Sequence, residues 1–409
     1  MTVTQPLATA VVPGSAAAAS NRSAAIDTLR GAVMVLMALD HVRAFFAREP
    51  LFGLDAISPG LFVTRWLTHF CAPVFVFLAG AGAYLHGRKK SRGELSRWLL
   101  VRGAWLVLLE VTLVRLGWTF NFDYAHYLLA GVIWCIGISM IVLAGLVLLP
   151  RVAVLVLGLV IVGGHNLLDT HFRPMQIQAQ SGAWWAWPAR ILYLGGPIDL
   201  FGSLRVVVLY SLVPWIGVMA LGYVFGAVLD RPREQRIAWC TRIGLTAIGV
   251  FCLLRAPNLY GDPRPWGSSE RSWLFTVFSV VDTSKYPASL DFLLMTLGPA
   301  LLALALLERR SVPGLGWLAV FGRVPLFYYL LHIPLIHGLA VLVAALRGNM
   351  DPWLFQNHPS LVPRPPEGLG YGVPMVWLFT AVTVLLLYFP CRWFAGVKTR
   401  QPDGWWRFF

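Results

Sequence analysis

The chain has 409 residues, 57 % hydrophobic and only 13 % charged, with a formal net charge of +14. Its charges cluster between apolar stretches of about 20 or more residues, a distribution that excludes soluble multidomain architectures. A nucleic-acid partner is excluded too, because the basic residues fall in short loops at every second turn between apolar runs, the pattern of a membrane protein's cytoplasmic side.

Residues 1–21 are rich in Ala, Ser, Thr and Val, lack the basic start and apolar core of a cleaved signal, and read as a disordered cytoplasmic tail. A bilayer core needs roughly 20 apolar residues per helix, and such runs stand at about 25–47, 60–86, 95–118, 127–149, 151–168, 205–229, 236–256, 288–308, 315–346 and 372–394. The expectation is an all-α, polytopic integral membrane protein of about ten transmembrane helices. Residues 22–398 form one membrane domain, 399–409 form a short tail, and both termini are cytoplasmic. The turn Arg88-Lys89-Lys90-Ser91-Arg92, then Arg231/Arg233/Arg236, Arg309/Arg310 and Lys398/Arg400/Arg407, mark that cytoplasmic side. The connections at about 169–204 and 257–287 fall outside; dense in Trp, Pro and Gly, they suit interfacial anchors or caps over a site. Cys71, Cys135, Cys240, Cys252 and Cys391 are scattered through apolar runs, with the spacing of neither disulfides nor a zinc site. Membrane lipids are the expected surroundings, and homo-oligomerisation is left open.

An ionisable side chain inside a span costs roughly 2.5–3.5 kcal/mol, so each needs a reason. In the first span Asp27, Arg30, Met34, Met37 and His41 recur at helical spacing along one stripe, with His41 about 16 Å beyond Arg30. Asp40 and Arg43 adjoin His41. The second span carries Arg65 and His69 one turn apart, then Pro73 and the small-residue run Ala79-Gly80-Ala81-Gly82-Ala83. Glu110 and Arg115 lie in the third span, and His332 and His337 in the ninth, which Pro325 and Pro334 should bend. Asp40, His41, Arg65, His69, Glu110, His332 and His337 can thus form an outer cluster, although Glu110 could instead pair with Arg115 or Arg65. Arg30, Arg102 and Arg323 each end a different span on the cytoplasmic side and could hold a polyanion such as a phosphorylated cofactor. No close histidine pair within a span suggests a metal, so none is expected.

The stretch Asp27-Thr28-Leu29-Arg30-Gly31 leading to Ala38-Leu39-Asp40-His41 resembles the heparan-alpha-glucosaminide N-acetyltransferase catalytic-domain family, in its bacterial branch. So do Thr64-Arg65-Trp66-Leu67-Thr68-His69-Phe70-Cys71-Ala72-Pro73 and the late Phe321-Gly322-Arg323-Val324-Pro325 leading to His332, over about residues 22–345. The first stretch is also similar to the acyltransferase type 3 family, in which the Arg and His corresponding to Arg30 and His41 are functional. These resemblances imply a transmembrane acyltransferase of the cell (inner) membrane, moving an acetyl or other acyl group from cytosolic acetyl-CoA or acyl-CoA to an extracytoplasmic glycan or small-molecule acceptor. Arg30, Arg102 and Arg323 would bind the cofactor phosphates. His41, oriented by Asp40, would be the base or acyl carrier, with His69 assisting, and Arg65, Glu110, His332 and His337 would meet the acceptor. Lysosomal members carry their essential His in the loop after the first span; none stands between Phe46 and Gly60 here, so its role falls to His41 or His69. The rival reading is a transporter or proton-coupled permease using the same intramembrane residues as a relay.

Overall fold

The computed structural model describes residues 14–48, 57–169, 186–200, 204–310, 312–356, 366 and 368–401, with side chains from residue 24 onward. A helix occupies every predicted span, because in hydrocarbon each backbone N–H and C=O must be satisfied within its own segment. The chain opens with α1 (Gly14–Phe46), then α2 (Pro59–Thr68) and α3 (Cys71–Gly87). The rod of α4 (Arg92–Leu109) and α5 (Arg115–Thr119), joined by a π-helical turn over Glu110–Val114, is followed by β1 (Tyr127–Ala130), α6 (Val132–Leu146) and α7 (Arg151–Gly164). Next come β2 (Gly196–Leu200), β3 (Leu204–Val208), α8 (Leu212–Leu229) and α9 (Arg233–Arg255). The short α10 (Trp273–Val281) precedes α11 (Leu290–Arg309), α12 (Leu318–Arg323), α13 (Pro325–Leu346) and α14 (Val373–Arg400).

Among the described residues, seven helical stretches, counting Pro59–Gly87 as one, are long and apolar enough to cross a bilayer. Of the other three predicted spans, α1 and α4 carry several charges and α6 has 15 residues, so length and composition support seven of the ten. Residues 1–13 and 402–409 of the predicted tails lie outside the described residues, as do 170–185 of the first long connection, and α1 already begins at Gly14.

Two predicted spans need correction at their starts. Residues 127–130 and 204–208 are strands: β1 pairs in parallel with β3, Tyr127 opposite Arg205, and β2 runs antiparallel to β3, Gly196 opposite Val208. Their runs of four and five residues fit strand or helix equally by pattern alone. Two other spans break where proline requires it. Pro73 leaves the His69 carbonyl without its helical donor, and the chain turns at His69 and Phe70 between α2 and α3. Val324 takes an extended φ of −130° before Pro325, which separates α12 from α13.

The centre of the molecule is α1, which packs on α3, α11, α12, α13 and α14 and buries Val33, Met34, Ala38 and Val42. Its crossing with α12 is backbone on backbone. A Cβ at Gly31 would run into the Leu318 carbonyl, and one at Gly322 into the Asp27 carbonyl. Gly80 and Gly222 make the same reciprocal contact between α3 and α8, against Met219 and Phe77. Where α9 meets α11 the buried Arg236 and Glu308 pair at 2.6 Å, so neither charge is left alone in the interior.

Candidate active site

At the end of the molecule that carries the Arg88–Arg92 turn, a cavity of about 600 Å³ opens among α1, α3, α4, α6, α13 and α14. Arg30, Arg102 and Arg323 all line it, so the three predicted guanidiniums do converge, and Lys398 joins them. Arg30 Nη1 donates to the Gly322 carbonyl at 2.9 Å and lies 3.4 Å from Asp27 Oδ1. Arg323 Nε stands 3.9 Å from the other oxygen of Asp27, so one carboxylate holds two guanidiniums. The rings of His86 and Trp98 stack at 4.0 Å on the cavity wall. Deeper in, the lining becomes apolar through Met34, Leu106, Ile133 and Ile136 and reaches Tyr329. Pro325, Leu326 and Tyr329 follow one stripe of α13, and His332 is the next residue on that stripe.

His332 is fully buried, and its Nδ1 faces the Tyr329 carbonyl at 2.7 Å and the Tyr328 carbonyl at 3.2 Å. A carbonyl can only accept, so that nitrogen carries the proton, and His332 Nε2 carries the lone pair. His332 Nε2 meets His41 Nδ1 at 2.7 Å, which makes His41 Nδ1 the donor and leaves the His41 lone pair on Nε2. Two backbone carbonyls thereby set the tautomer of a histidine on another helix. Trp118 stands edge-on to the His41 ring at 4.8 Å.

Asp40, expected to orient His41, lies on an adjoining face of α1. Consecutive helix residues point about 100° apart, and the Asp40 carboxylate turns to Arg43 Nη2 at 2.6 Å, Thr68 Oγ1 at 3.0 Å and Lys285 Nζ at 3.7 Å. Beside it Arg65 and Arg264 flank Asp282 at 3.5 and 3.7 Å. Burial works against the Lys285 charge, but Tyr286 and Asp40 outweigh it and raise the ammonium pKa above the usual lysine value. His69 sits at the turn between α2 and α3, buried edge-on against Phe292, with no hydrogen-bond partner for Nδ1 among the described residues.

The seven-residue outer cluster is therefore several groups. Glu110 pairs with neither Arg115 nor Arg65: its Oε2 accepts from the backbone N–H groups of Ile133 and Trp134, capping the N-terminus of α6. Arg115 donates to the carbonyls of Tyr127, Asn121 and Asp123 and ties down the loop after α5. His337 is clamped between the Gly117 and Leu354 carbonyls at 2.9 and 2.7 Å and between the rings of Phe45 and Phe120. His332 partners His41.

Sequence reasoning passed over Lys398 and Lys285. Lys398 counted only as a marker of sidedness, while Lys285 sits in the 257–287 connection, whose Trp, Pro and Gly content had already suggested a cap. No curated protein matches the chain. The family model for the catalytic region of heparan-alpha-glucosaminide N-acetyltransferase matches residues 22–259, more than half of the chain and including the α1 stripe, the α2–α3 turn and Arg102. The chain belongs to the heparan-alpha-glucosaminide N-acetyltransferase catalytic-domain family.

Proposed function

We propose that the chain takes an acyl group, acetyl in the simplest case, from acyl-CoA at the arginine end and delivers it to a sugar amine or hydroxyl on the opposite side of a bacterial inner membrane. The arginine end is then the cytoplasmic one. The observation that carries this reading is the cavity: cations at its mouth, apolar walls, and at its inner end Tyr329, whose carbonyl anchors the His41–His332 pair. CoA has the same polarity. Its phosphates suit Arg30, Arg102, Arg323 and Lys398, and its pantetheine arm suits the run past Met34, Leu106 and Ile133. Arg30 and His41 are about 16 Å apart along α1, a span that an extended pantetheine arm matches.

On this reading His41 Nε2 takes the proton of the acceptor hydroxyl or amine as that atom attacks the thioester carbonyl carbon. The C–S bond breaks, the thiolate leaves as CoA, and the proton passes from His41 to its sulfur. His332 holds the ring in position and shares the imidazolium charge through the 2.7 Å bond. The alternative order uses the same tautomer: Nε2 attacks the thioester carbon and the C–S bond breaks to release the CoA thiolate. The acceptor then attacks the acyl-imidazole, the C–N bond breaks, and the acceptor's proton is taken up by the thiolate. Asp40, Lys285, Arg65 and Asp282 would shape the acceptor side, with His69 within range of the charges of Lys285, Arg65 and Asp40.

Incubation of the purified protein with radiolabelled acetyl-CoA tests this reading. Label on an acceptor or on histidine is expected for wild type and none for His41→Ala. Accumulation of substrate in vesicles without covalent label would favour transport instead, and undiminished turnover in His41→Ala would remove that residue from the chemistry.

A further inference from the structure

A second cavity, of about 610 Å³, opens at the same end of the molecule on the other side of α1. At about 100° per residue, Ala24, Ala25 and Thr28 in its wall project away from Asp27, Arg30 and Met34, and the two cavities have no lining residue in common. The rest of its wall is the last turn of α11 and the connection to α12, with Arg233 reaching across from α9.

The charge here is not cancelled. Arg233 is fixed by donating from Nε to the Glu308 carbonyl at 2.8 Å and from Nη2 to the Arg309 carbonyl at 2.9 Å. Those bonds occupy carbonyls at the C-terminus of α11 that would otherwise repel an anion. Glu308, the acid in the lining, is neutralised by Arg236. The guanidiniums of Arg309 and Arg310 are exposed and form no ion pair among the described residues. Three arginines thus rim a floor that includes Ala25, Leu307 and Leu315.

A free anion makes no use of that apolar floor, whereas a phospholipid does. The neighbouring surface also fits a bilayer. Leu306 beside the cavity is 54 % exposed, Leu245 further along α9 is 57 % exposed, and Trp239 lies between Arg231 and Arg242 at 5.5 and 6.0 Å, an aromatic and basic belt suited to headgroup depth.

We propose that this cavity binds the phosphate headgroup of an anionic phospholipid, with Arg309 and Arg310 taking the phosphate and Leu307 and Leu315 receiving the start of an acyl chain. The bound lipid braces α1 from behind the arginine-lined cavity. The proposal does not depend on the acyl-transfer reading.

The test is native mass spectrometry of the full chain in detergent, titrated with phosphatidylglycerol or phosphatidylcholine. Wild type should retain phosphatidylglycerol preferentially. Arg309→Ala/Arg310→Ala should weaken that retention about five-fold per arginine and about thirty-fold together, while Lys89→Ala/Lys90→Ala, a charge-matched change at the same end, should not. Arg309→Gln/Arg310→Gln reads the same loss if the alanine variant does not fold. Equal retention of the two lipids, or unchanged retention in the arginine variants, would overturn the proposal. So would inorganic phosphate that displaces phosphatidylglycerol and raises the melting temperature as much as the lipid does, since the site would then be one for a free anion.

Discussion

His332 does its work on a residue 291 positions away. Its proton is held by carbonyls of its own helix, so it can only accept from His41, and His41 is delivered with its basic nitrogen ready. A side chain of the same reach that still accepts should preserve part of this arrangement, and one that cannot accept should not. His332→Phe should lower kcat on the order of 10²-fold, with little change in KM for acyl-CoA, and His332→Gln should recover part of the loss. Equal kcat values for Phe and Gln would reduce the histidine to packing. Lys285 makes a contrasting case. Its pKa lies above the ordinary lysine value of 10.5, so its pairing with Asp40 contributes fully below pH 10.5 and fades only as pH rises through the higher folded value. Lys285→Met should therefore lower the melting temperature by the same amount at about pH 6 and about pH 9. The loss should be smaller than the roughly 3–5 kcal/mol of an orphaned buried charge, because Asp40 keeps Arg43 and Thr68.

Among the elements, the crossing of α1 and α12 supports the arginine-lined cavity. Gly31 and Gly322 let the two backbones touch, and the Gly322 carbonyl accepts from Arg30. Adding one methyl at either glycine pushes backbone against backbone, which no rotamer change can relieve. Gly31→Ala and Gly322→Ala should each cost at least about 1–3 kcal/mol and weaken acyl-CoA binding as Arg30 loses its anchor. Gly82→Ala is the control: a Cβ there meets nothing within 4 Å, yet it projects from the cavity wall, so the fold should survive and only ligand affinity should change. Thermal unfolding together with binding isotherms separates the two cases. These elements also show what a sequence can and cannot disclose. The apolar runs, the arginines ending three helices and the prolines at 73 and 325 act locally, and the helices, the converging guanidiniums and the two helix breaks follow from them. The strands at 127–130 and 204–208 did not, because a short apolar run obeys either period. Nor did the His41–His332 bond, which is made by tertiary packing. Nor are the partners of Asp40 legible in the sequence beyond its own helix: its carboxylate meets Arg43, three positions on, but also Thr68 and Lys285.

Across the whole molecule the arrangement is polar from end to end. Cations gather at the mouth of the arginine-lined cavity, the histidine pair lies beyond its inner end, and the connection 257–289 lays Asp282 and Lys285 over the Asp40 group on the far side. On the proposed reading such a layout separates donor binding from chemistry, and that separation is measurable. Arg102 contributes to the mouth and is far from the histidines along the cavity, so Arg102→Ala should raise KM for acyl-CoA about 10- to 100-fold, the range of a lost charge-assisted contact to phosphate, and leave kcat near its wild-type value. Lys398→Ala, from a different helix, should do the same more weakly, since its ammonium already donates to the Arg323 carbonyl at 3.4 Å. Proteoliposomes add the directional half of the argument. With the Arg88–Arg92 turn outside, external acyl-CoA should acylate an acceptor sealed in the lumen, and acyl-CoA sealed in the lumen should not react. Transfer from either compartment at equal rate would mean that the arginine mouth does not choose the side of the donor, and the vertical division of labour would fail even if both variants behaved as expected.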